Sequence, residues 1–522
     1  MKDCHHIIRC NCFQDNGVKI DLVYIEKCYP MNRPLYIQDI QDFFDDVQRS
    51  GIFSDQKMMT DAVPLFPVEE INEKYKREKQ QPDFSLREFI LSNFEFLQPE
   101  VSFREEGILP IEEHIEKLWG ELTRNAPEDK GTLLRLPRPY IVPGGRFNEF
   151  FYWDSYFIML GLQVSGRIEM MENSIENCAY LIQAFGFIPN ANRTHFLTRS
   201  QPPYFSLMLD LLYETNGDET IYSRYYGALE KEYDFWMNGA EGLENGSAVK
   251  RVFKTERGDL LNRYYDEENE PRPESYLIDI RDGESAGKGF YRNIRSACES
   301  GWDFSSRWFA DGEHIQTIEI LNLAQVDLNC LLWHMEKTLA RGAAFQQDLE
   351  KEILFMEKAV LRKRIINTYF WDGNAGIYKD YHIRNRTAAA SEHIAALYPL
   401  FMGLADEEQA ESVAEHLRKK FLYPGGLVTT TKNSGQQWDF PNAWAPYQWL
   451  GFKAMKDYGF DELAERIKNN WCGNVERIYG NTGKLMEKYN AADTESTAGG
   501  GEYPNQDGFG WTNGVYLALK NQ

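Results

Sequence analysis

Residues 327–339 read DLNCLLWHMEKTL, and residues 349–360 read LEKEILFMEKAV. In both stretches large apolar residues recur at spacings of four, three and four: Leu328, Leu332, Met335 and Leu339 in the first, and Leu349, Ile353, Met356 and Val360 in the second. Because an α-helix has about 3.6 residues per turn, each set forms one apolar stripe. The spacing predicts two successive helices, each with its stripe facing a core.

Other segments carry helical signals as well. Asp406, with Gln409 three residues later, has the pattern of a capping box, and the helix that follows is predicted to end before Pro424-Gly425-Gly426. A further stripe is formed by Leu229, Tyr233 and Trp236. Alternating strand patterns are scarce, so we predict an all-α chain in which helical hairpins surround a shared core.

Composition and charge bound the class of protein. The 522 residues are 43% hydrophobic and 14% aromatic, which is enough to bury a large core. A formal net charge of -23 argues against nucleic acid or an anionic membrane as a partner. No run approaches the roughly 18 apolar residues of a membrane span, and charged residues interrupt the first ten positions. We therefore expect no signal peptide, a cytoplasmic location and, by default, a monomer.

The chain is predicted to have one large domain. We expect residues 1–35 to be a poorly ordered N-terminal extension and residues 36–522 to form a single catalytic domain. The eight cysteines are scattered, so reduced thiols are expected. The group Cys4, His5, His6, Cys10 and Cys12 offers soft metal ligands, but its spacing matches no common zinc pattern, and a mobile terminus is the favoured interpretation.

The dipeptide Trp-Asp occurs four times, at Trp153-Asp154, Trp302-Asp303, Trp371-Asp372 and Trp438-Asp439. Unequal intervals and helical surroundings argue against a β-propeller repeat. An indole offers a flat face to a sugar ring, and a carboxylate accepts hydrogen bonds from sugar hydroxyls. We therefore predict aromatic and acidic loops on one face of the molecule that bind carbohydrate. For any single pair, a capped helix start with a core tryptophan is the alternative.

Residues 143–156, PGGRFNEFFYWDSY, combine turn glycines, one arginine, two acids and many aromatic residues. Their composition indicates polar groups set in an aromatic wall, and aromatic packing around a buried ion pair is the alternative. This segment resembles the first signature of glycoside hydrolase family 37, the trehalases. Residues 437–446, QWDFPNAWAP, resemble the second signature, in the expected order.

The resemblance covers most of the chain, from residues 43–48, FFDDVQ, to the tail at 499–515, GGGEYPNQDGFGWTNGV. It implies an (α/α)6 barrel with active-site loops on one face. It also implies inverting hydrolysis of α,α-trehalose to two glucose molecules, with water as the nucleophile. The catalytic motifs contain no phosphate loop, nicotinamide fingerprint or metal-ligand cluster, so no cofactor and no metal is expected.

An inverting glycosidase needs a general acid and a general base roughly 6.5–9.5 Å apart, so that a water molecule fits between base and sugar. By resemblance, Asp303 in residues 299–308, ESGWDFSSRW, is the acid, and Glu487 in residues 487–490, EKYN, is the base. The family segment reads Glu-Lys-Tyr-Asp, so Asn490 is a departure. The second signature has Ala443 where glycine is common. Trp438 and Asp439 are expected in the wall of the site or behind it.

Sugar-binding residues also follow from the resemblance. They are Arg146, Trp153, Asp154, Asn190, Arg199, Ser200, Gln201, Arg272, Pro273, Glu274, Gly301 and Glu502. In so acidic a chain, the arginines can donate in a fixed fork to adjacent hydroxyls or hold a carboxylate ionised. They also leave open a phosphorylated substrate such as trehalose 6-phosphate. Two further alternatives are a sugar-binding homologue without turnover and an inverting phosphorylase, although Glu487 argues against the phosphorylase.

Overall fold

The computed structural model describes residues 33–96 and 108–522. Nineteen α-helices lie in these two ranges. Their bounds are α1 Gln41–Ser50, α2 Lys57–Asp61, α3 Val68–Glu78, α4 Leu86–Asn93, α5 Ile111–Glu121, α6 Tyr152–Val164, α7 Ile168–Phe185, α8 Phe205–Asn216, α9 Thr220–Arg224, α10 Tyr226–Trp236, α11 Tyr276–Gly283, α12 Phe290–Glu299, α13 Val326–Phe345, α14 Leu349–Tyr369, α15 Tyr398–Phe401, α16 Glu407–His416, α17 Ala445–Asp457, α18 Asp461–Thr482 and α19 Gly510–Lys520.

Short strands occur between the helices and pair antiparallel in small sheets. Within the described ranges their bounds are β1 Val63–Pro64, β2 Phe94–Glu95, β3 Thr123–Arg124, β4 Tyr140–Ile141, β5 Ala248–Val249, β6 Val252–Lys254, β7 Leu260–Asn262, β8 Leu323–Ala324, β9 Trp371–Asp372, β10 Ile377–Tyr378, β11 Tyr381–His382, β12 Thr387–Ala388, β13 Leu422–Tyr423, β14 Gly426–Leu427, β15 Asn442–Trp444 and β16 Lys488–Asn490. These strands shape the loops, and some of their residues, among them Ile141, Leu261 and Ala324, also belong to the core.

Six helices form an inner ring in which each contacts the next: α6, α8, α13, α15, α17 and α19. The ring closes because α19 packs tightly against α6. Glycines make this approach close, since a Cβ atom on Gly514 would clash with the backbone of Phe157. A second set, α5, α7, α10, α14, α16 and α18, packs outside this ring. The predicted (α/α)6 barrel is confirmed.

Two of the helix predictions are confirmed in detail. The four members of the first stripe, Leu328 to Leu339 in α13, are completely buried. At the start of α16, the Asp406 carboxylate accepts a hydrogen bond from the Gln409 N–H at 2.8 Å, and Gln409 Oε1 accepts one from the Asp406 N–H at 2.9 Å. This reciprocal pair is the predicted capping box.

The prediction for the second stripe is wrong, because the stripe of α14 faces away from the core. Its members are exposed: Leu349 by 65%, Ile353 by 50%, Met356 by 47% and Val360 by 68%. The buried face of α14 carries another set at the same spacing, namely Phe355, Ala359, Arg362 and Ile366. Arg362 belongs to it because its guanidinium donates to Glu336 at 2.8 Å. Spacing identifies a helix face but does not tell which of two faces packs inward.

Residues 33–96 add a smaller helical layer with its own apolar core beside the barrel. Gln48 of this layer donates to the carbonyl of Pro273, and Leu277 donates its N–H to Gln56. Most of the expected extension, including the cysteine and histidine group at residues 4–12, lies outside the described residues. Leu35 is described, and it is buried. Among the helices of the described residues, none combines the length and the apolar character that crossing a membrane requires.

Candidate active site

One end of the barrel holds a cavity of about 740 Å³. It lies where inner helices begin, since Trp153 and Trp511 are in the first turns of α6 and α19, and Trp444 directly precedes α17.

Both catalytic candidates and ten of the twelve sugar-binding candidates line this cavity. They are Asp303, Glu487, Arg146, Trp153, Asp154, Asn190, Arg199, Gln201, Arg272, Glu274, Gly301 and Glu502. Ser200 and Pro273 are not in the lining. The Ser200 hydroxyl donates to the Ile188 carbonyl at 2.6 Å, so it supports the wall from behind. The Pro273 carbonyl accepts from the layer of residues 33–96.

Tryptophans from separate loops stack beneath the cavity. The rings of Trp438 and Trp444 are parallel with centroids 3.9 Å apart, and Trp302 stacks on Trp438 at 5.5 Å. Trp153 lies 5.8 Å from Trp438. Three of the four Trp-Asp pairs therefore meet here. The fourth, Trp371-Asp372, forms β9 outside the cavity lining, where Asp372 pairs with Lys379 at 3.1 Å.

The carboxyl group of Asp303 differs from an ordinary aspartate. Burial raises its pKa to about 7; the charges of Glu502 and Glu487 act in the same direction, and Arg272 acts against them. Gly301, with φ at 78°, lets the loop approach Trp153 closely, because a Cβ atom there would lie 2.9 Å from the indole ring. A carboxyl group that keeps its proton towards neutral pH is suited to donate it as a general acid.

The surroundings of the Glu487 carboxyl group differ from those of Asp303. Its Oε2 accepts from Lys488 Nζ at 3.1 Å, and its Oε1 accepts from the Tyr503 hydroxyl at 2.9 Å. Glu487 and Lys488 are both buried. The carboxylate of Glu487 thus has an ammonium and a hydroxyl donor in contact with it, at the position where a general base would face the cavity. The pairing of β15 with β16 places Trp444 opposite Lys488 and so joins the second signature to the base segment.

The cationic side chains of the lining are already paired with carboxylates. Arg146 donates two hydrogen bonds to Asp55, at 2.6 and 3.1 Å, and Arg199 donates one to Glu274 at 2.7 Å. Arg272 donates to Glu502 at 2.6 Å and to Asp279 at 2.5 Å. Lys57 donates to Glu149 at 2.7 Å. Burial alone would raise the pKa of Glu274, but the Arg199 charge and its neighbours outweigh this and lower it to about 2. The arginine forks are thus held in fixed orientations.

Asp154 supplies a further carboxyl group to the wall. It is buried at the start of α6, and burial, together with the charges of Glu487 and Asp303, raises its pKa well above the usual value. A protonated carboxyl group donates one hydrogen bond and accepts others. Asp154 can therefore bind a sugar hydroxyl in either role.

The two departures from the family pattern have simple local settings. Asn490 Oδ1 accepts from the backbone N–H groups of Ala492 and Asp493, at 3.1 and 2.9 Å. An aspartate oxygen would accept the same two bonds, so the turn after the base segment does not require aspartate. Ala443 is completely buried opposite Tyr489, which leaves room for its methyl group.

Several lining residues were missed by sequence reasoning. They are Lys57, Phe147, Phe151, Phe196, Ser275, Cys298, Trp444, Tyr503, Phe509 and Trp511, whereas Trp438, which was expected in the wall or behind it, also lines the cavity. Many of them lie inside the motifs quoted above. They could have been predicted because they are adjacent in sequence to a candidate residue, as Tyr503 is to Glu502. Lys57 and Phe196 carried no such signal. Within the two described ranges, no group of three or more His, Cys, Asp or Glu side chains is arranged to hold a metal ion.

The (α/α)6 barrel has an aromatic, hydrogen-bonding cavity with two carboxyl groups, one with a raised pKa and one bonded by a lysine and a tyrosine, and this defines the class of protein as a glycoside hydrolase. Comparisons with known proteins agree. The chain is 27% identical to the neutral trehalase of Saccharomyces cerevisiae, with a TM-score of 0.60 and 73% of each chain covered. The GH63 mannosylglycerate hydrolase of Thermus thermophilus shares the fold, with a TM-score of 0.53, 17% identity and coverage of 79% and 100% of the two chains.

Residues 37–521 match the sequence family described as Trehalase. The chain is 44% identical over 486 residues to the periplasmic trehalase of Xanthomonas axonopodis pv. citri, covering 92% of this chain and 85% of the relative. It is 43% identical over 484 residues to the periplasmic trehalase of Pseudomonas aeruginosa, covering 92% and 88%. The chain belongs to the trehalase family.

The predicted cytoplasmic location is wrong. The curated relatives at 42–44% identity are named periplasmic trehalases, which points to the periplasm. The prediction depended on charged residues near the start of the sequence. The apolar part of an export signal is removed from a mature exported protein, so the hydropathy of a chain does not decide its compartment.

Proposed function

We propose that this chain hydrolyses the α,α-1,1-glycosidic bond of trehalose with inversion, with Asp303 as the general acid and Glu487 as the general base. The observation that carries this proposal is the contrast between the two carboxyl groups in one cavity. Asp303 has a pKa raised to about 7, whereas Glu487 accepts hydrogen bonds from an ammonium and a phenol. This difference in surroundings supports an acid role for Asp303 and a base role for Glu487.

The proposed reaction uses Asp303 as the proton donor and Glu487 as the proton acceptor. Asp303 donates its proton to the glycosidic oxygen, and the bond between that oxygen and one anomeric carbon breaks. Glu487 takes a proton from a water molecule as the water oxygen bonds to the same carbon from the opposite face. One glucose leaves with its α configuration, and the other is formed as β-glucose. Asp303 then takes up a proton from solvent and Glu487 releases one, which returns both carboxyl groups to their starting forms.

A neutral disaccharide fits the cavity better than a phosphorylated one. Each of the four basic side chains in the lining, Arg146, Arg199, Arg272 and Lys57, is paired with at least one carboxylate. A phosphate would have to compete with these carboxylates for the same donors. The parallel tryptophans offer flat apolar surface, which suits the C–H faces of glucose rings.

Proton NMR of the purified chain with trehalose tests the proposal. We expect equal initial amounts of α- and β-glucose, formed faster from trehalose than from trehalose 6-phosphate. Two α-glucose molecules would contradict inversion, and glucose phosphate formed in phosphate buffer would indicate a phosphorylase. Binding of trehalose without release of glucose would favour a sugar-binding homologue.

A further inference from the structure

Gln437 connects the loop that carries the acid to the strand that carries the base. Its side chain is only 1% exposed. The Nε2 group donates to the backbone carbonyl of Asp303 at 2.5 Å, and Oε1 accepts from Lys488 Nζ at 2.9 Å. Nε2 also lies 3.4 Å from the hydroxyl of Tyr503, which donates to Glu487. A single amide therefore contacts the backbone of the proposed acid and the two side chains that donate to the proposed base.

The orientation of this amide is determined by its partners. An ammonium group only donates and a backbone carbonyl only accepts, so Oε1 must face Lys488 and Nε2 must face Asp303. The backbone is fixed as well, since the Gln437 carbonyl accepts from Trp444 Nε1 at 3.0 Å. Gly501 closes the remaining space, because a Cβ atom there would lie 2.8 Å from Oε1. These contacts therefore fix the side-chain amide of Gln437 in one orientation.

Lys488 is the charged member of this arrangement. Its side chain is completely buried, and its ammonium donates to Glu487 and Gln437. The rings of Trp444 and Tyr503 lie 5.1 Å from the ammonium nitrogen on two other sides. A positive charge held away from water acts on an adjacent carboxylate more strongly than a surface lysine does.

Charged groups of both signs occur in the rest of the cavity lining, where Arg146 and Arg272 are each paired with a carboxylate. Asp303 and Asp154 interact with Glu487 across the cavity. Glu502 faces Asp303 and is neutralised in part by Arg272. Tyr503 donates a hydrogen bond and carries no charge at neutral pH, because burial raises its pKa well above the usual value. Lys488 is the cation that bonds the Glu487 carboxylate directly.

We propose that Lys488 and Gln437 are positioning residues for hydrolysis: Lys488 holds its ammonium against the Glu487 carboxylate, and Gln437 fixes the base segment relative to the backbone of the acid. This inference rests on the proposed function, since both residues act through Asp303 and Glu487. Neither side chain needs to touch the sugar for either role.

Lys488→Met tests the role of the charge. Methionine keeps most of the length of lysine but removes the ammonium. We expect the acidic limb of the pH profile of kcat/KM, which reports the free enzyme's base, to move up by about 1–3 pH units, the size of effect that an adjacent opposite charge has. Lys379→Met is the matched control. Lys379 is also a buried lysine paired with a carboxylate, Asp372, but it lies outside the cavity lining, so the limb should stay in place.

Gln437→Met tests the role of the amide. It removes both side-chain bonds without changing charge, so we expect kcat to fall about tenfold or more at every pH while KM changes less. Gln448→Met is its control, because Gln448 is a buried glutamine that bonds the N–H and carbonyl of Leu427 away from the site. Gln437→Glu adds a carboxylate beside Lys488. It should move the acidic limb upward even if Lys488→Met does not fold.

The outcomes separate this inference from the proposed function. A folded Lys488→Met or Gln437→Glu variant with an unmoved acidic limb overturns the role of Lys488. A Gln437→Met variant that retains the kcat of the unaltered chain overturns the role of Gln437. Absence of glucose release by the unaltered chain would instead contradict the proposed function.

Discussion

Replacing Asp303 by asparagine should abolish most turnover and, above neutral pH, stabilise the fold. The loss of turnover follows from removing a general acid, which typically costs about 100- to 10,000-fold in rate. The gain in stability follows from the raised pKa. The carboxyl group has a pKa of about 7 in the folded chain against an ordinary value of 3.8. Folding therefore opposes its ionisation.

The sign and size of the effect can be worked out. Below about pH 4 the carboxyl group is protonated in both the folded and the unfolded chain, and its full contribution to stability is present. As pH rises from about 4 to 7, the unfolded chain releases the proton more readily, so the free energy of unfolding decreases. Above pH 7 the loss is complete and amounts to at most about 4 kcal/mol. Water that reaches the carboxyl group through the cavity reduces this figure. Asparagine does not ionise and avoids the loss.

Urea unfolding of the wild-type chain and the Asp303→Asn variant at pH 5 and pH 8 measures this. We expect the stability advantage of the variant to be larger at pH 8. Asp372→Asn is the control from the Trp-Asp pair outside the cavity lining. The pKa of Asp372 is lowered, because hydrogen bonds from Ala375 N–H and Lys379 outweigh partial burial, so its replacement should destabilise the chain and leave turnover intact. An equal advantage for Asp303→Asn at both pH values would refute the reasoning.

Three further substitutions test other parts of the structure. Glu502→Gln removes a charge that raises the pKa of Asp303, so the basic limb of kcat/KM should move down by on the order of 1 pH unit; an upward shift would contradict this. Gly301→Ala places a Cβ atom against an indole ring at a positive φ, so kcat/KM should drop about tenfold or more, and unchanged kinetics would refute the close contact. Gly514→Ala should cost several kcal/mol in urea unfolding, because it clashes with the backbone of α6, whereas Gly473→Ala in α18 meets open space and should stabilise by about 0.5–1 kcal/mol.

Sequence periodicity predicted the helices better than it predicted their environment. The stripe of α13 is buried and the stripe of α14 is exposed, although both have the same spacing. The inward face of α14 includes Arg362, which is stabilised by Glu336 and by Asn262, at 2.8 and 3.0 Å. These partners are distant in sequence, so a pattern that scores apolar residues assigns such a face to solvent.

The candidate site was predictable where a residue belonged to a recognisable motif. Gln437 and Lys488 stood inside quoted motifs, yet nothing in those motifs showed that the two side chains meet. Their contact depends on the register of β15 against β16, which pairs Trp444 with Lys488. Lys57 reaches the cavity from the layer of residues 33–96, which packs beside the barrel. Contacts of this kind join residues that are distant in sequence, so they become visible only in the tertiary structure.

The closure of the inner ring by α19 has a consequence for biosynthesis. Because α19 seals the ring against α6, the first inner helix remains without its neighbour until residues 510–520 have left the ribosome. Trp511 also completes the cavity wall and donates to the Glu487 carbonyl at 2.9 Å. Contacts between such distant segments form late, and the incomplete barrel exposes apolar surface in the meantime. A growing chain therefore has no finished active site until α19 is made.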